Sequence, residues 1–120
     1  MLDDLKILNV ASAMARHAAQ RHGLIAENIA NADTAGYRAK DLEAFGEAYA
    51  RSARLDGEPG RIDWRVVKIS APGLESPNGN NVSLEDQMLR AAEAKGAHDA
   101  ATAIYKKTVD ILRASLRRQV

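Results

Sequence analysis

The chain contains 120 residues with a formal net charge of +1, and its basic and acidic side chains are interspersed along the whole length. Proteins that bind nucleic acid usually carry a basic stripe, and none is visible here apart from Arg113, Arg117 and Arg118 at the very end, where cations offset the dipole of a helix. The absence of cysteine excludes disulfides and thiolate chemistry, and there is no run of about eighteen apolar residues that could span a membrane. We therefore expect no nucleic-acid partner and no membrane span.

Small residues dominate the apolar part of the composition. Hydrophobic residues make up 46% of the chain and aromatic residues only 4%, so alanine and the aliphatic side chains supply most of the apolar surface. Alanine buries little area, and buried apolar surface contributes roughly 25 cal/mol per Å². A single molecule is therefore expected to have a thin core, in which small residues let helices approach closely.

A long helix is predicted first, over residues 4–30, with Asp3 or Asp4 as its N-cap. At 1.5 Å per residue this helix would be roughly 40 Å long. Apolar residues recur along it at steps of three and four, which is the spacing of one helix face. We predict that this face packs against another helix through Leu5, Leu8, Ala15 and Ile25.

Two histidines in the first helix are candidate metal ligands, but their spacing argues against a metal site. His17 and His22 are five residues apart, whereas a spacing of about four places two imidazoles over one ion. His22 falls on the apolar face, so we interpret it as a packing residue. The chain also shows no nucleophile elbow, phosphate loop or zinc-ligand spacing. We expect no catalytic, cofactor-binding or metal-binding residues, and therefore no enzyme.

The first helix ends in a segment with more polar side chains than a helix end requires. Asn28 and Asn31 lie in its last turn, and Thr34, Gly36 and Tyr37 follow. A carboxamide donates and accepts hydrogen bonds at once, so each asparagine could join two pieces of chain. The alternative is that both merely terminate the helix. We further expect Gly36 to adopt a positive φ and Tyr37 to pack over the turn.

Residues 38–80 are predicted to form a small irregular insert, since they hold all the prolines, most of the glycines and the single tryptophan. Good helix formers predict a short helix over 41–54. A turn is expected over 56–60, and β-branched residues predict a strand over 62–69. A proline–glycine loop over 71–73 then leads towards the last element.

A second long helix is predicted from Ser83 to near the C-terminus. Ser83-Leu84-Glu85-Asp86 is similar to a capping box with aspartate in the third position. Apolar residues then recur at steps of three and four for about thirty residues, which is the rhythm of a coiled coil. We predict that the packing face of this helix includes Ile104, Ile111 and Leu112.

The predicted fold class is mainly α, in three segments: an N-terminal helix and turn (1–37), an insert with a short strand (38–80) and a C-terminal helix (81–120). The two long helices are expected to pack as an antiparallel hairpin or coiled coil, with the insert at the far end. A two-helix hairpin leaves each apolar face half covered, and a large uncovered apolar surface marks an interaction site. The chain is therefore expected to complete its core by association.

The turn segment also resembles a known motif. Read along the chain, the motif is Asn28-Ile29-Ala30-Asn31, two further residues, and then Thr34-x-Gly36-Tyr37. It is similar to the signature near the N-terminus of flagellar rod, hook and hook-associated proteins. Ala35 stands where that family usually has a proline, which would pre-set the backbone angle φ. With alanine we expect a looser turn.

A second block narrows the resemblance to the proximal rod proteins of that family. Residues 79–88 are similar to the segment that opens the C-terminal helix in those proteins, with matches at Asn80, Asn81, Val82, Leu84, Glu85 and Met88. Gln87 replaces a glutamate that is usual there, which removes the charge for one salt bridge. The two blocks in this order and spacing are far more specific than either block alone.

The resemblance implies a structural subunit of the proximal rod of the bacterial flagellar basal body. Its terminal helices would assemble into a helical tube that transmits torque and conducts exported proteins, and no cofactor is implied. The implied partners are other flagellar rod subunits, the adaptor protein at the ring–rod junction and the flagellar export gate. The protein would lie in the rod, which crosses the periplasm, after export without a cleaved signal peptide. The alternatives are another proximal rod subunit, or a helical adaptor or regulator that dimerises through its apolar faces.

Overall fold

Two long helices lie side by side along most of the molecule, in a computed structural model that describes residues 2–54, 62–70 and 75–118. The described part measures 68 × 28 × 17 Å and is therefore strongly elongated. In chain order its elements are α1 (Leu2–Ala30), β1 (Lys40–Leu42), α2 (Phe45–Arg54), β2 (Val66–Lys68) and α3 (Leu84–Arg118). The predicted mainly helical fold, with a small insert between two long helices, is confirmed. The turn predicted over 56–60 and the loop over 71–73 lie outside the described residues.

Both long helices carry charges that suit their dipoles. The first helix begins at Leu2, so Asp3 and Asp4 are not its N-cap as predicted but occupy its first turn. The hydroxyl of Ser83 accepts a hydrogen bond from the Asp86 backbone N–H at 3.3 Å, so the predicted N-cap of α3 is confirmed. Basic residues fill the last turn of α3. Residues at each end of α3 therefore favour the start and the end of this helix, and its contacts with the rest of the chain stabilise the part between them.

The two long helices run antiparallel, because Asn28 near the end of α1 contacts Gln87 near the start of α3. The buried residues that α1 and α3 present to each other recur every seven positions, as in a coiled coil. From α1 they are Ala11, Ala18 and Ile25, and from α3 they are Gln87, Ala94, Ala101 and Thr108. Most are small, so the two backbones lie close together.

This contact differs from the packing face expected from the large aliphatic residues. Ile25 is buried, and Leu8, Ala15 and Leu112 are half-buried. Leu5, Ile104 and Ile111 are exposed, so they are not buried in the contact between the helices as expected. The physical reason is that helix separation depends on the side chains at the contact, and alanine rows permit the closest approach. The larger residues therefore flank the contact.

Substitution of Ala101 tests the close approach of the helices. Ala101 is fully buried, and Ala101→Leu is expected to lower the free energy of unfolding by about 1–3 kcal/mol, because a larger side chain would push the helices apart. The neighbouring Ala100 is exposed, so Ala100→Leu should change stability by less than about 0.5 kcal/mol. Urea unfolding followed by circular dichroism measures both. Equal effects at the two positions would contradict the alanine contact.

The insert contains a two-stranded antiparallel sheet in which Asp41 is the partner of Val67. Hydrogen bonds from Glu43 N to Arg65 O and from Ile69 N to Ala39 O, both 2.8 Å, extend the ladder at each end. The helix predicted over 41–54 therefore begins only at Phe45, since the chain before it is a strand. The strand predicted over 62–69 is reduced to Val66–Lys68, because residues 62–65 are irregular.

The described part of the insert, residues 38–54, 62–70 and 75–80, folds back along α1, whereas the insert was expected at the far end of the hairpin. Ala13 of α1, Ala48 of α2 and Ile62 form a small buried cluster, to which Val10, Phe45 and Trp64 add. His17, not His22, is the packed histidine: its ring meets those of Phe45 and Trp64 edge-on, and its Nε2 donates to Glu43 O at 2.8 Å. His22 is exposed, which corrects the earlier interpretation. His17 and His22 lie on different faces of α1, and the face that carries His17 packs against the insert.

Candidate assembly site at the turn between the helices

Asn28 is the centre of a buried polar cluster at the turn end of the hairpin. It is fully buried and takes part in four hydrogen bonds, the full capacity of a carboxamide. Its Nδ2 donates to Lys40 O at 2.7 Å and to Gln87 Oε1 at 3.0 Å. Its Oδ1 accepts from Lys40 N and from the Tyr37 hydroxyl, both at 3.0 Å. One side chain therefore joins α1, the turn, β1 and α3.

The contact with Lys40 has the form of a strand pairing. Both backbone groups of Lys40 bond to the Asn28 carboxamide, as they would to a hydrogen-bonded residue of a neighbouring antiparallel strand. The other side of β1 pairs with β2. The amide thus satisfies buried backbone groups on that edge of the short strand, and it ties the insert to the helical hairpin.

Asn31 has a different role, because its bonds are local. Its Nδ2 donates to Glu27 O at 2.9 Å, and its Oδ1 accepts from the Thr34 hydroxyl at 3.0 Å. Both bonds are exposed and shape only the end of α1. The two asparagines of the motif therefore do separate work: Asn31 terminates the helix, and Asn28 bonds across the fold.

Asn80 and Asn81, from the second motif block, bond directly to the first block and its continuation. Asn80 Nδ2 donates to Asn31 O at 2.8 Å and to Thr34 O at 2.7 Å. Asn81 Oδ1 accepts from Ala39 N at 2.7 Å, and its Nδ2 donates to Ile69 O at 3.0 Å. Both asparagines are buried. The structure thus brings together two segments that are about fifty residues apart, and it holds them by carboxamide-to-backbone bonds.

Two glycines allow these segments to approach. Gly36 has φ 73° and Gly79 has φ 86°, so the predicted left-handed conformation at Gly36 is confirmed. Gly36 N donates to Asn78 O at 2.9 Å, and a Cβ added to Gly79 would lie 3.4 Å from Gly36 Cα. Backbone therefore packs on backbone where the turn after α1 meets the loop before α3.

The turn at Ala35 has the geometry in which proline is favoured. Tyr37 N donates to Thr34 O at 3.2 Å, and the positive φ of Gly36 places this glycine at the third position of a type II turn. Ala35 is then the second position. We expect Ala35→Pro to raise the free energy of unfolding by about 0.4–1 kcal/mol, because proline restricts the unfolded chain. A lower thermal midpoint for this variant than for the wild type would contradict this turn geometry.

The other motif residues lie around the cluster without entering it. Val82 is half-buried. The exposed members are Ile29, Ala30, Leu84, Glu85 and Met88. The motif residues therefore fall into a buried polar group that fixes the turn and an exposed group that faces outwards.

A charged cluster lies beside the polar one and also spans three elements. The carboxylate of Asp41 in β1 accepts two close bonds from Arg21 of α1, Nε to Oδ1 at 2.9 Å and Nη2 to Oδ2 at 3.0 Å, and a further bond from Arg90 of α3. Arg21 also reaches Glu93 at 3.0 Å, and Arg90 reaches Asp86 at 2.8 Å. Asp41 is buried. Its ion pairs with Arg21 and Arg90 link both long helices to the insert.

The surroundings of Asp41 favour its charged form. Burial is the largest single influence and works in the opposite direction, since it penalises a carboxylate. The hydrogen bonds from Arg21, from the Leu42 backbone N–H and from Arg90 together outweigh it. The pKa of Asp41 is therefore lowered from its ordinary value.

The charged cluster was not predicted from the sequence, and Gln87 was predicted only as the loss of a charge for one salt bridge. Arg21 precedes Asn28 by two helical turns and so shares its face, which was the available signal. Gln87 is fully buried, and its Nε2 has no hydrogen-bond partner within the described part of the chain. Position 87 is therefore not a surface salt-bridge position but the α3 end of the contact with Asn28. The polar cluster around Asn28 and the charged cluster around Asp41 therefore hold the two long helices and the insert together.

Within residues 2–54, 62–70 and 75–118 no three histidine or acidic side chains lie close enough together to hold a metal ion. None of the helices there combines the length and apolarity needed to cross a membrane.

Comparison with known proteins gives one distant likeness that extends over almost the whole chain. No protein-family model matches the sequence. The chain is 22% identical over 130 aligned positions to the flagellar basal body rod protein FlgB of Agrobacterium fabrum. The alignment covers 98% of this chain and 97% of that protein, so the two have nearly the same extent.

Proposed function

We propose that this chain is a structural subunit of the bacterial flagellar rod, and specifically of its proximal part. The observation that carries the proposal is the likeness to a flagellar basal body rod protein over nearly the full length of both chains. The direct bonding of the two motif blocks supports it, because Asn80 bonds to Asn31 and Thr34 across about fifty residues of chain. The two blocks that resemble rod proteins are therefore in direct contact in the folded chain.

Assembly through the terminal helices is the mechanism we propose. Large apolar side chains remain exposed along both helices, among them Leu5, Ile104, Ile111 and Leu116. Exposed apolar surface of this extent on so small a protein favours association with other molecules. Contacts that repeat without closing would build a helical tube, which conducts exported proteins through its centre.

The mechanical role would rest on the same contacts that hold the hairpin together. The alanine residues let the two helices pack closely, and close-packed interiors have low compressibility and transmit strain. The clusters around Asn28 and Asp41 would hold the insert at a fixed angle to the helices. Such a subunit would transmit torque without bending at the turn. Its partners in this proposal are other rod subunits, the adaptor protein at the ring–rod junction and the export gate, and its place is the rod, which crosses the periplasm.

Deletion of the gene tests this function directly. We expect non-motile cells whose basal bodies, seen by electron microscopy, end at the inner ring without a rod, and we expect a plasmid copy to restore the rod. Complete rods in the deletion strain would overturn the proposal. A subunit of another rod segment would instead leave a partial rod.

Sedimentation of the purified chain separates a rod subunit from a helical adaptor or regulator that dimerises. A closed dimer would stop at a fixed mass at every concentration. A rod subunit is expected to continue to larger species, or to require rod partners, because its contacts do not close.

A further inference from the structure

The first turns of α3 carry an exposed apolar patch at the turn end of the molecule. It consists of Leu84, Met88 and Leu89, which we call the α3 patch, and Met88 is 69% exposed. Gln87, between them in sequence, is buried against Asn28. The patch is therefore an exposed surface beside the buried contact of α3 with α1. Glu85 is exposed beside it.

The half of the molecule away from the turn has an apolar groove. The groove has a volume of about 320 Å³ and lies where α1, α2 and α3 meet. We call it the open-end groove, and its lining includes Lys6, Ile7, Val10, Met14, Tyr49 and Ile104. Ile7, Tyr49 and Ile104 are exposed. The apolar patch thus lies at one end of the molecule, and the apolar groove lies in the other half of the hairpin.

Charge is also distributed unequally along the long axis. The turn end, residues 21–41 and 75–93, contains seven acidic and four basic residues. The open end, residues 2–16 and 104–118, contains three acidic and seven basic residues. The two ends therefore attract each other and repel their own kind, which favours head-to-tail contact and disfavours contact between like ends.

We propose, on the basis of the function proposed above, that the open-end groove receives the α3 patch of a second copy of this chain. The apolar side chains supply the contact, and Glu85 of the patch approaches the cationic end marked by Lys6. Each copy then still has one free patch or one free groove, so the contact is heterologous and does not close. Every copy in such an assembly would point in the same direction along it.

The absence of cysteine from the chain allows a clean cross-linking test. Full-length Met88→Cys and Ile7→Cys variants, carrying different tags, are mixed and treated with a mild oxidant. We expect covalent heterodimers in the mixture and little dimer from either variant alone. The control pair is Lys95→Cys with Ile7→Cys, because position 95 is exposed on the same helix but two turns away from the patch. Circular dichroism confirms that each variant is folded.

Two results would overturn this pairing. One is a yield for the Met88→Cys and Ile7→Cys pair that does not exceed that of the control pair. The other is an equal yield from Met88→Cys alone, which would indicate contact between like ends. We also expect Glu85→Lys in the Met88→Cys chain to reduce the yield several-fold at low salt, and Lys6→Glu in the Ile7→Cys chain to restore it.

The cross-linking result and the gene-deletion result are independent. If the cysteine pair fails to cross-link while deletion still removes the rod, the pairing is wrong and the proposed function stands. If the pair cross-links while rods persist without the gene, the pairing stands and the proposed function is wrong.

Discussion

Replacement of Asn28 by alanine is expected to lower the free energy of unfolding by about 3 kcal/mol or more, because several buried polar groups lose their partner together. The carboxamide bonds to Lys40 N, Lys40 O, the Tyr37 hydroxyl and Gln87 Oε1. A buried group left without a partner costs about 1–3 kcal/mol. Urea unfolding of the wild type and the variant, followed by circular dichroism at one protein concentration, measures the loss.

Asn31 is the matched control, since it has the same side chain and lies three residues away. Its two bonds are exposed and local, so Asn31→Ala should cost less than about 1 kcal/mol. A loss at Asn31 as large as that at Asn28 would contradict the separation of their roles. In cells, Asn28→Ala is expected to abolish rod assembly in a complementation assay, and Asn31→Ala to reduce it.

Local chemistry made parts of the site predictable from the sequence. Gly36 was expected at positive φ because tight turns need that conformation, and Ser83 was expected to cap α3 because its hydroxyl precedes a helical pattern with acids in the first turn. The importance of asparagine was also visible, since few residues both donate and accept. Local signals could not separate Asn28 from Asn31, because the difference is what lies across from each in the folded chain.

The packing face illustrates the limit of periodicity. Steps of three and four predicted two amphipathic helices, and the helices are present. The rule favours large aliphatic residues as contacts, and it therefore selected Ile104 and Ile111. Each buried α3 position from Ala94 to Thr108 is instead small, since the helices approach closely. The strand β1 was missed for a related reason: Lys40-Asp41-Leu42 has no β-branched residue, and tertiary partners stabilise its extended backbone.

Replacement of Asp41 by asparagine is expected to lower the free energy of unfolding by about 2 kcal/mol at neutral pH. The substitution keeps the shape of the side chain but leaves Arg21 and Arg90, which are both partly buried, without their shared carboxylate. Breaking a fully buried ion pair costs about 3–5 kcal/mol, and the access of water to the two guanidinium groups reduces that figure here. Asp99→Asn is the control, because Asp99 forms an exposed pair with Lys95 that contributes about 0–1 kcal/mol.

The effect of Asp41→Asn should disappear in acid, and the direction of the pKa shift determines how. The pKa of Asp41 is lowered in the folded state, so the ionised carboxylate stabilises the folded state more than the protonated carboxyl group does. Its contribution is therefore fully present above the unfolded pKa of about 3.9, and it is lost as the pH falls through the folded value. Unfolding measured between neutral pH and strong acid should show the two stability curves converging from about pH 4 downwards. If the difference between wild type and variant stayed constant across this range, the stabilising group would not be the ionised carboxylate.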